Sequence, residues 1–121
     1  MFVGILRDLL SVTPGAVAAI FLDYEGETVA MWSERPFELS DDDLKAIGAY
    51  QGIFLSQLRG ACERSEAGAP SRFKLEQPSR RTLSCDLKDG YYLVLIVEST
   101  SSEAMAWRQL ERCRRRLLTE M

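Results

Sequence analysis

At 121 residues the chain has room for one hydrophobic core and not for two. Its net charge of −3, from 15 basic and 18 acidic residues, lacks the basic excess that a nucleic-acid surface needs. The absence of histidine excludes His-containing triads, Cys–His pairs and imidazole metal sites together.

Phe2, Ile5, Leu6, Leu9 and Leu10 recur at the i, i+3, i+4, i+7 spacing of an amphipathic helix, which Thr13-Pro14-Gly15 stops. Arg7 and Asp8 interrupt this stretch too early for a secretory signal peptide. No apolar run reaches the roughly 18 residues of a membrane span. Residues 16–22 are continuously apolar and predict a strand buried on both faces. Asp23-Tyr24-Glu25-Gly26 makes a turn, and 27–33 returns as its hairpin partner. A loop over 34–39, containing Pro36, precedes Ser40, which reads as a helix N-cap with Asp41, Asp42 and Asp43 in the first turn. The middle helix then runs to about residue 64.

Residues 72–77 and 82–87 alternate apolar with polar, as half-exposed strands do. Asp89-Gly90 signals a tight hairpin into 91–97, the second fully apolar strand. Thr100-Ser101-Ser102-Glu103 has the form of a capping box for a last helix. The expected order is α-β-β-α-β-β-β-α, an α+β domain spanning 1–121 whose mostly antiparallel sheet carries helices on both faces.

The middle helix points to a partner. Leu44, Ile47, Phe54, Leu55, Leu58 and Cys62 share one side, expected to pack on the sheet. The other side carries Ala46, Ala49, Tyr50, Ile53, Gln57 and Gly60 where charge would be expected. A helix apolar nearly all round is normally covered twice, and one small domain covers it once. The simplest second cover is the same helix of another copy about a two-fold axis, with the small residues Ala46, Ala49 and Gly60 permitting close approach. The alternative is that Tyr50 and Ile53 are simply exposed or lie beneath the 34–39 loop. Trp32, Phe37, Tyr50 and Ile53 are a candidate apolar contact patch, whereas Trp107 reads as core.

Chemistry is sparse. Cys62, Cys85 and Cys113 are odd in number and form no CxxC, so they read as buried thiols of a reducing, cytoplasmic compartment. Helix capping accounts for the Asp41–Asp43 run without a metal. The glycines form neither a GxGxxG nor a GxxxxGK[ST] loop. Arg112, Arg114, Arg115 and Arg116 suit a solvated helix C-terminus. No catalytic residue, cofactor or metal is therefore expected, and the chain does not read as an enzyme.

Leu6-Arg7-Asp8-Leu9-Leu10, Pro14-Gly15-Ala16-Val17, Ile20-Phe21-Leu22-Asp23 with Gly26, and Val29-Ala30 stand in a distinctive order. So does Asp89-Gly90-Tyr91-Tyr92-Leu93-Val94-Leu95-Ile96 before the last helix. Across nearly its whole length the chain resembles the roadblock family of dynein light-chain-like and bacterial GTPase-associated proteins. The resemblance implies a profilin-like, five-stranded antiparallel sheet with the middle helix on one face and the terminal helices on the other. It further implies dimers in which middle helices pair and third strands, bearing Phe73 and Leu75, meet edge to edge. Family members typically bind or regulate small Ras-like GTPases, or scaffold motor and signalling assemblies, without binding nucleotide themselves. The leading expectation is a homodimer that binds a small GTPase. The alternatives are a scaffold subunit without a GTPase partner and a small-molecule sensor domain, and a heterodimer with a related chain also stays open.

Overall fold

In the computed structural model, which describes residues 1–121, the two fully apolar runs lie side by side within one five-stranded sheet. The elements follow the expected order: α1 (Phe2–Ser11), β1 (Ala16–Leu22), β2 (Thr28–Ser33), α2 (Asp41–Ser65), β3 (Arg72–Glu76), β4 (Arg80–Asp86), β5 (Tyr92–Glu98) and α3 (Glu103–Glu120). Strand order is β2-β1-β5-β4-β3, antiparallel at every pairing, so β2 and β3 are the edges. Every residue of β1 is buried, because helices cover both sides of the sheet.

Two separate cores follow from that layering. Ile5, Leu6, Leu9 and Leu10 of α1 and Ala106, Leu110, Cys113 and Leu117 of α3 pack with Ala19, Phe21, Leu93 and Leu95 on one face. Leu44 and Leu55 of α2 pack with Val17, Ile20, Leu22, Val94 and Ile96 on the other. Each fully buried aliphatic side chain contributes about 1.5–3 kcal/mol relative to exposure.

Local signals in the sequence fix the joints. Asp89 (φ 56°) and Gly90 (φ 80°) both take left-handed backbone, as a two-residue hairpin of matching twist requires. Asp23 Oδ1 accepts from the N–H groups of Glu25 and Glu27 at 2.9 and 3.0 Å, closing the β1–β2 turn. Ser40 and Asp43 form a reciprocal capping box at the start of α2.

Three expectations need correction. The last helix is capped by Ser102, whose Oγ accepts from Met105 N at 3.2 Å, so no box forms over Thr100–Glu103. Glu103 instead accepts from Lys74 Nζ at 2.9 Å. The fourth strand is not half-exposed: Thr82, Leu83, Ser84 and Cys85 are all buried, because α2 covers its polar side as well. Finally, α2 is rotated relative to the expected orientation. Leu44, Gly48, Gln51 and Leu55 face the sheet, while Phe54 and Leu58 lie exposed.

Candidate functional site: the outer face of α2 and the β3 edge

The rotation of α2 has a steric cause. A Cβ on Gly48 would lie 2.7 Å from Leu22 Cδ2, and one on Gly52 would lie 2.2 Å from Tyr92 Oη. Only glycine lets the helix sit this low at those points. The Tyr92 hydroxyl donates to Gly48 O at 2.9 Å, and Ser84 Oγ donates to Gln51 Oε1 at 3.2 Å. Arg59 and Asp86 add an ion pair at the flank. A seam of small and polar residues thus takes the inner position, and bulkier apolar side chains are turned outward.

That outer face carries Tyr50 (63% exposed), Ile53 (51%) and Phe54 (44%), with Leu58 beside them. Beside it, β3 alternates in the usual way of strands. Arg72 and Lys74 point to the α3 side, where Arg72 lies 4.7 Å from the Trp107 ring centroid. Phe73 and Leu75 point to the α2 side, where Phe73 packs against the α2 core. Phe54, Gln57, Leu58, Phe73, Lys74 and Leu75 line a groove of about 360 Å³ between α2 and β3. A second hollow of about 270 Å³ lies on the other flank of the helix, against the β1–β2 turn, and includes Ala49, Gly52, Ile53 and Gln57.

The structure therefore brings Tyr50, Ile53, Gln57, Phe73 and Leu75 to one surface. Ala46 is exposed on the same helix, Ala49 is half-buried against the β1–β2 turn, and Gly60 is half-buried. Phe54 and Leu58 are additions that the sequence pattern had assigned to the core. The signal that could have found them is the Leu44-Gly48-Gln51-Leu55 seam, itself at helical spacing.

Trp32 does not join this patch. It packs against the α1–α3 core on the opposite face of the sheet, donates to Glu34 Oε1 at 3.3 Å, and has Arg7 5.8 Å from its ring centroid. Phe37 is fully exposed in the β2–α2 loop, which Arg35 and Glu38 tie to Glu98 and Arg80. That loop leaves Tyr50 and Ile53 uncovered.

This surface is mainly apolar. Its apolar side chains are flanked by Lys74, which Glu103 and then Glu76 hold in its charged form above the usual lysine range. Glu103 is correspondingly lowered, chiefly by its hydrogen bond with Lys74. Away from this surface, burial pushes the Cys85 and Cys113 thiols up to about 12. No group of three or more Cys, Asp or Glu side chains is placed to hold a metal ion. No helix is long and apolar enough to cross a membrane.

Sheet order, helix layering and the bare β3 edge define a roadblock-like fold. Among solved structures, the chain is similar to Myxococcus xanthus MglB at 10% identity and a TM-score of 0.85, covering 98% of this chain and 92% of that one. A Roadblock/LC7 domain from Streptomyces avermitilis matches at 16% identity and a TM-score of 0.85, over 95% and 92% of the two chains. MglC from Myxococcus xanthus matches at 21% identity and a TM-score of 0.68, over 99% and 98%. No protein-family model matches the sequence. No curated protein is significantly similar to it.

Proposed function

We propose that this chain is a non-enzymatic, cytoplasmic, homodimeric binding module whose paired α2 helices form a docking surface for a small Ras-like GTPase. One observation carries the reading: the outer face of α2 presents Tyr50, Ile53 and Phe54 to solvent, although the domain has no further element to cover them. Tyrosine and large aliphatic residues fixed on a rigid helix are efficient binding anchors. The likeness of the whole chain to MglB and Roadblock/LC7 structures supports assigning this face to protein partners rather than to a small ligand.

The test is an affinity capture from native lysate with GDP or with a non-hydrolysable GTP analogue, repeated with Ile53→Asp and Tyr50→Asp. Both positions are more than half exposed, so each change should alter fold stability by less than about 0.5 kcal/mol. The expected result is a small GTPase retained in one nucleotide state by the parent chain and lost by both variants. Recovery of other proteins in fixed ratio, with no GTPase, would replace this reading with that of a scaffold subunit. A monomeric protein whose behaviour neither variant changes would remove both.

A further inference from the structure

The face of the sheet beneath α1 and α3 is not covered to its edge. Its core reaches β4 through Leu83 and Cys85 and includes no residue of β3. The chain entering β3 runs beside α3 instead. Glu66 (φ 59°) and Gly68 (φ 86°) take left-handed backbone there, and Pro70 disfavours helix at Ala69. Between that segment and α3 lies a cleft of about 600 Å³, larger than either hollow beside α2.

Charge within the cleft is unevenly answered. Both of its carboxylates are engaged: Asp86 pairs with Arg59, and Glu111 with Arg114 at 3.3 Å and Arg115 at 3.4 Å. Arg114 is further committed, since its Nε donates to Asp86 O at 2.9 Å. Arg72 forms no ion pair and no side-chain hydrogen bond, and its guanidinium carbon lies 4.7 Å from the Trp107 ring centroid. Stacking on an indole steadies the flat guanidinium and leaves its N–H edge free. Trp107 and Leu110 give the cleft an apolar side. Cys85 keeps its proton there and adds no charge.

We propose that this cleft is a ligand site for a small monocarboxylate with an apolar body, its carboxylate on Arg72 and its body against Trp107 and Leu110. The volume is that of a small-molecule pocket. A planar carboxylate matches the guanidinium edge with two parallel hydrogen bonds. One unanswered positive charge calls for one negative charge, because a phosphate dianion would bring its second charge toward Asp86 and Glu111. The site does not depend on the docking reading above, since α2 and α3 lie on opposite faces of the sheet.

The experiment titrates the full chain with hydrocinnamate and follows its two indole N–H signals by NMR. The Trp107 signal should move saturably, with a Kd of about 1 mM or tighter. Trp32 lies on β2, at the opposite edge of the sheet, and its signal should stay in place. The neutral hydrocinnamamide should bind about tenfold more weakly or worse, and so should hydrocinnamate to Arg72→Met, which keeps the stem but not the charge. Phenyl phosphate should bind more weakly than hydrocinnamate, and Glu111→Gln should narrow that difference. Arg108→Gln, an exposed change outside the cleft, should leave binding as it was.

No saturable shift of Trp107 by about 10 mM would overturn the site. Equal shifts at both indoles, or an Arg108→Gln loss matching that of Arg72→Met, would overturn it in favour of general surface attraction. Tighter binding of a blocked tripeptide with a central glutamate would overturn the small-ligand assignment and give the cleft to an acidic segment of a protein partner.

Discussion

Replacing Gly52 by alanine tests whether α2 is seated as tightly as the structure shows. In an isolated helix this change is favourable by about 1 kcal/mol, because glycine loses more backbone entropy than alanine. Here the new methyl would lie 2.2 Å from Tyr92 Oη and 2.8 Å from Cζ, more than about 1 Å inside ordinary contact. Tyr92 is only 2% exposed and its hydroxyl is engaged with Gly48 O, so the ring has little freedom to move aside. Relief requires either breaking that hydrogen bond, at about 1 kcal/mol, or lifting α2 off Leu22 and Val94. Overpacking costs about 1–3 kcal/mol, and a 2.2 Å approach belongs at the upper end, so with the helix gain of about 1 kcal/mol subtracted the expected net loss is about 2 kcal/mol. For a domain of this size that corresponds to a fall in Tm of about 8 °C. Gly4→Ala in α1 is the control: its Cβ would meet nothing closer than an Arg7 guanidinium nitrogen at 4.0 Å, so a gain of about 0.5–1 kcal/mol is expected. Urea unfolding of both variants, with Tyr92→Phe added to complete a double-mutant cycle, supplies the measurement. The cycle should show coupling of about 0.5 kcal/mol or more. A Gly52→Ala protein as stable as its parent would refute the close seating and the rotation of α2 derived from it.

Two further outcomes follow from the buried polar and thiol groups. Ser84→Ala removes the hydroxyl that donates to Gln51 Oε1 in a buried setting and should cost about 1–3 kcal/mol in urea unfolding, whereas Ser84→Ala combined with Gln51→Leu should recover most of that loss. Cys85 and Cys113, with burial raising their pKa to about 12, should resist thiol reagents at pH 8 while half-buried Cys62 reacts, so that native labelling counts one fast thiol and unfolding releases three. These raised values also set a direction with pH. The folded state holds its thiol protons while the unfolded chain gives them up near pH 9, so stability is full below pH 9 and falls as pH rises toward about 12. Tyr92, likewise raised to about 12 by burial, adds to that fall above pH 10. A urea midpoint constant from pH 8 to 11 would contradict this.

Element order was legible because each joint carries its own local chemistry. Asp89-Gly90 can take left-handed backbone, Ser40 can cap, and the apolar runs of β1 and β5 admit only a doubly covered sheet. The orientation of α2 was not legible in the same way. Hydrophobic spacing selects the largest side chains as the inner seam, yet Phe54 and Leu58 are outside because Gly48 and Gly52 make room for Leu22 and Tyr92. That choice belongs to the shape of the sheet beneath, which the helix sequence does not encode by itself. Trp32 was misplaced for a simpler reason. Strand alternation puts it with Ala30 on the α1 side and leaves Met31 on the α2 side, a distinction visible only once each helix has been assigned its face. Of the expected contact residues, Tyr50, Ile53 and Gln57 were singled out by the absence of charge on a long helix, and Phe73 and Leu75 by the family resemblance.

The underside of α2 is fastened by directional contacts at Gly48, Gln51 and Arg59 as well as by the packing of Leu44 and Leu55. Apolar contact alone tolerates sliding and rolling of a helix by a fraction of a turn; hydrogen bonds with defined donors and acceptors do not. The outer side chains consequently stand on a platform whose rotation is already decided before any partner arrives. Little ordering entropy is then left to lose on docking, so a modest contact area can still yield a useful affinity. By the same logic, loosening the underside should blunt recognition on the opposite face of the helix, without any change to a residue that a partner touches.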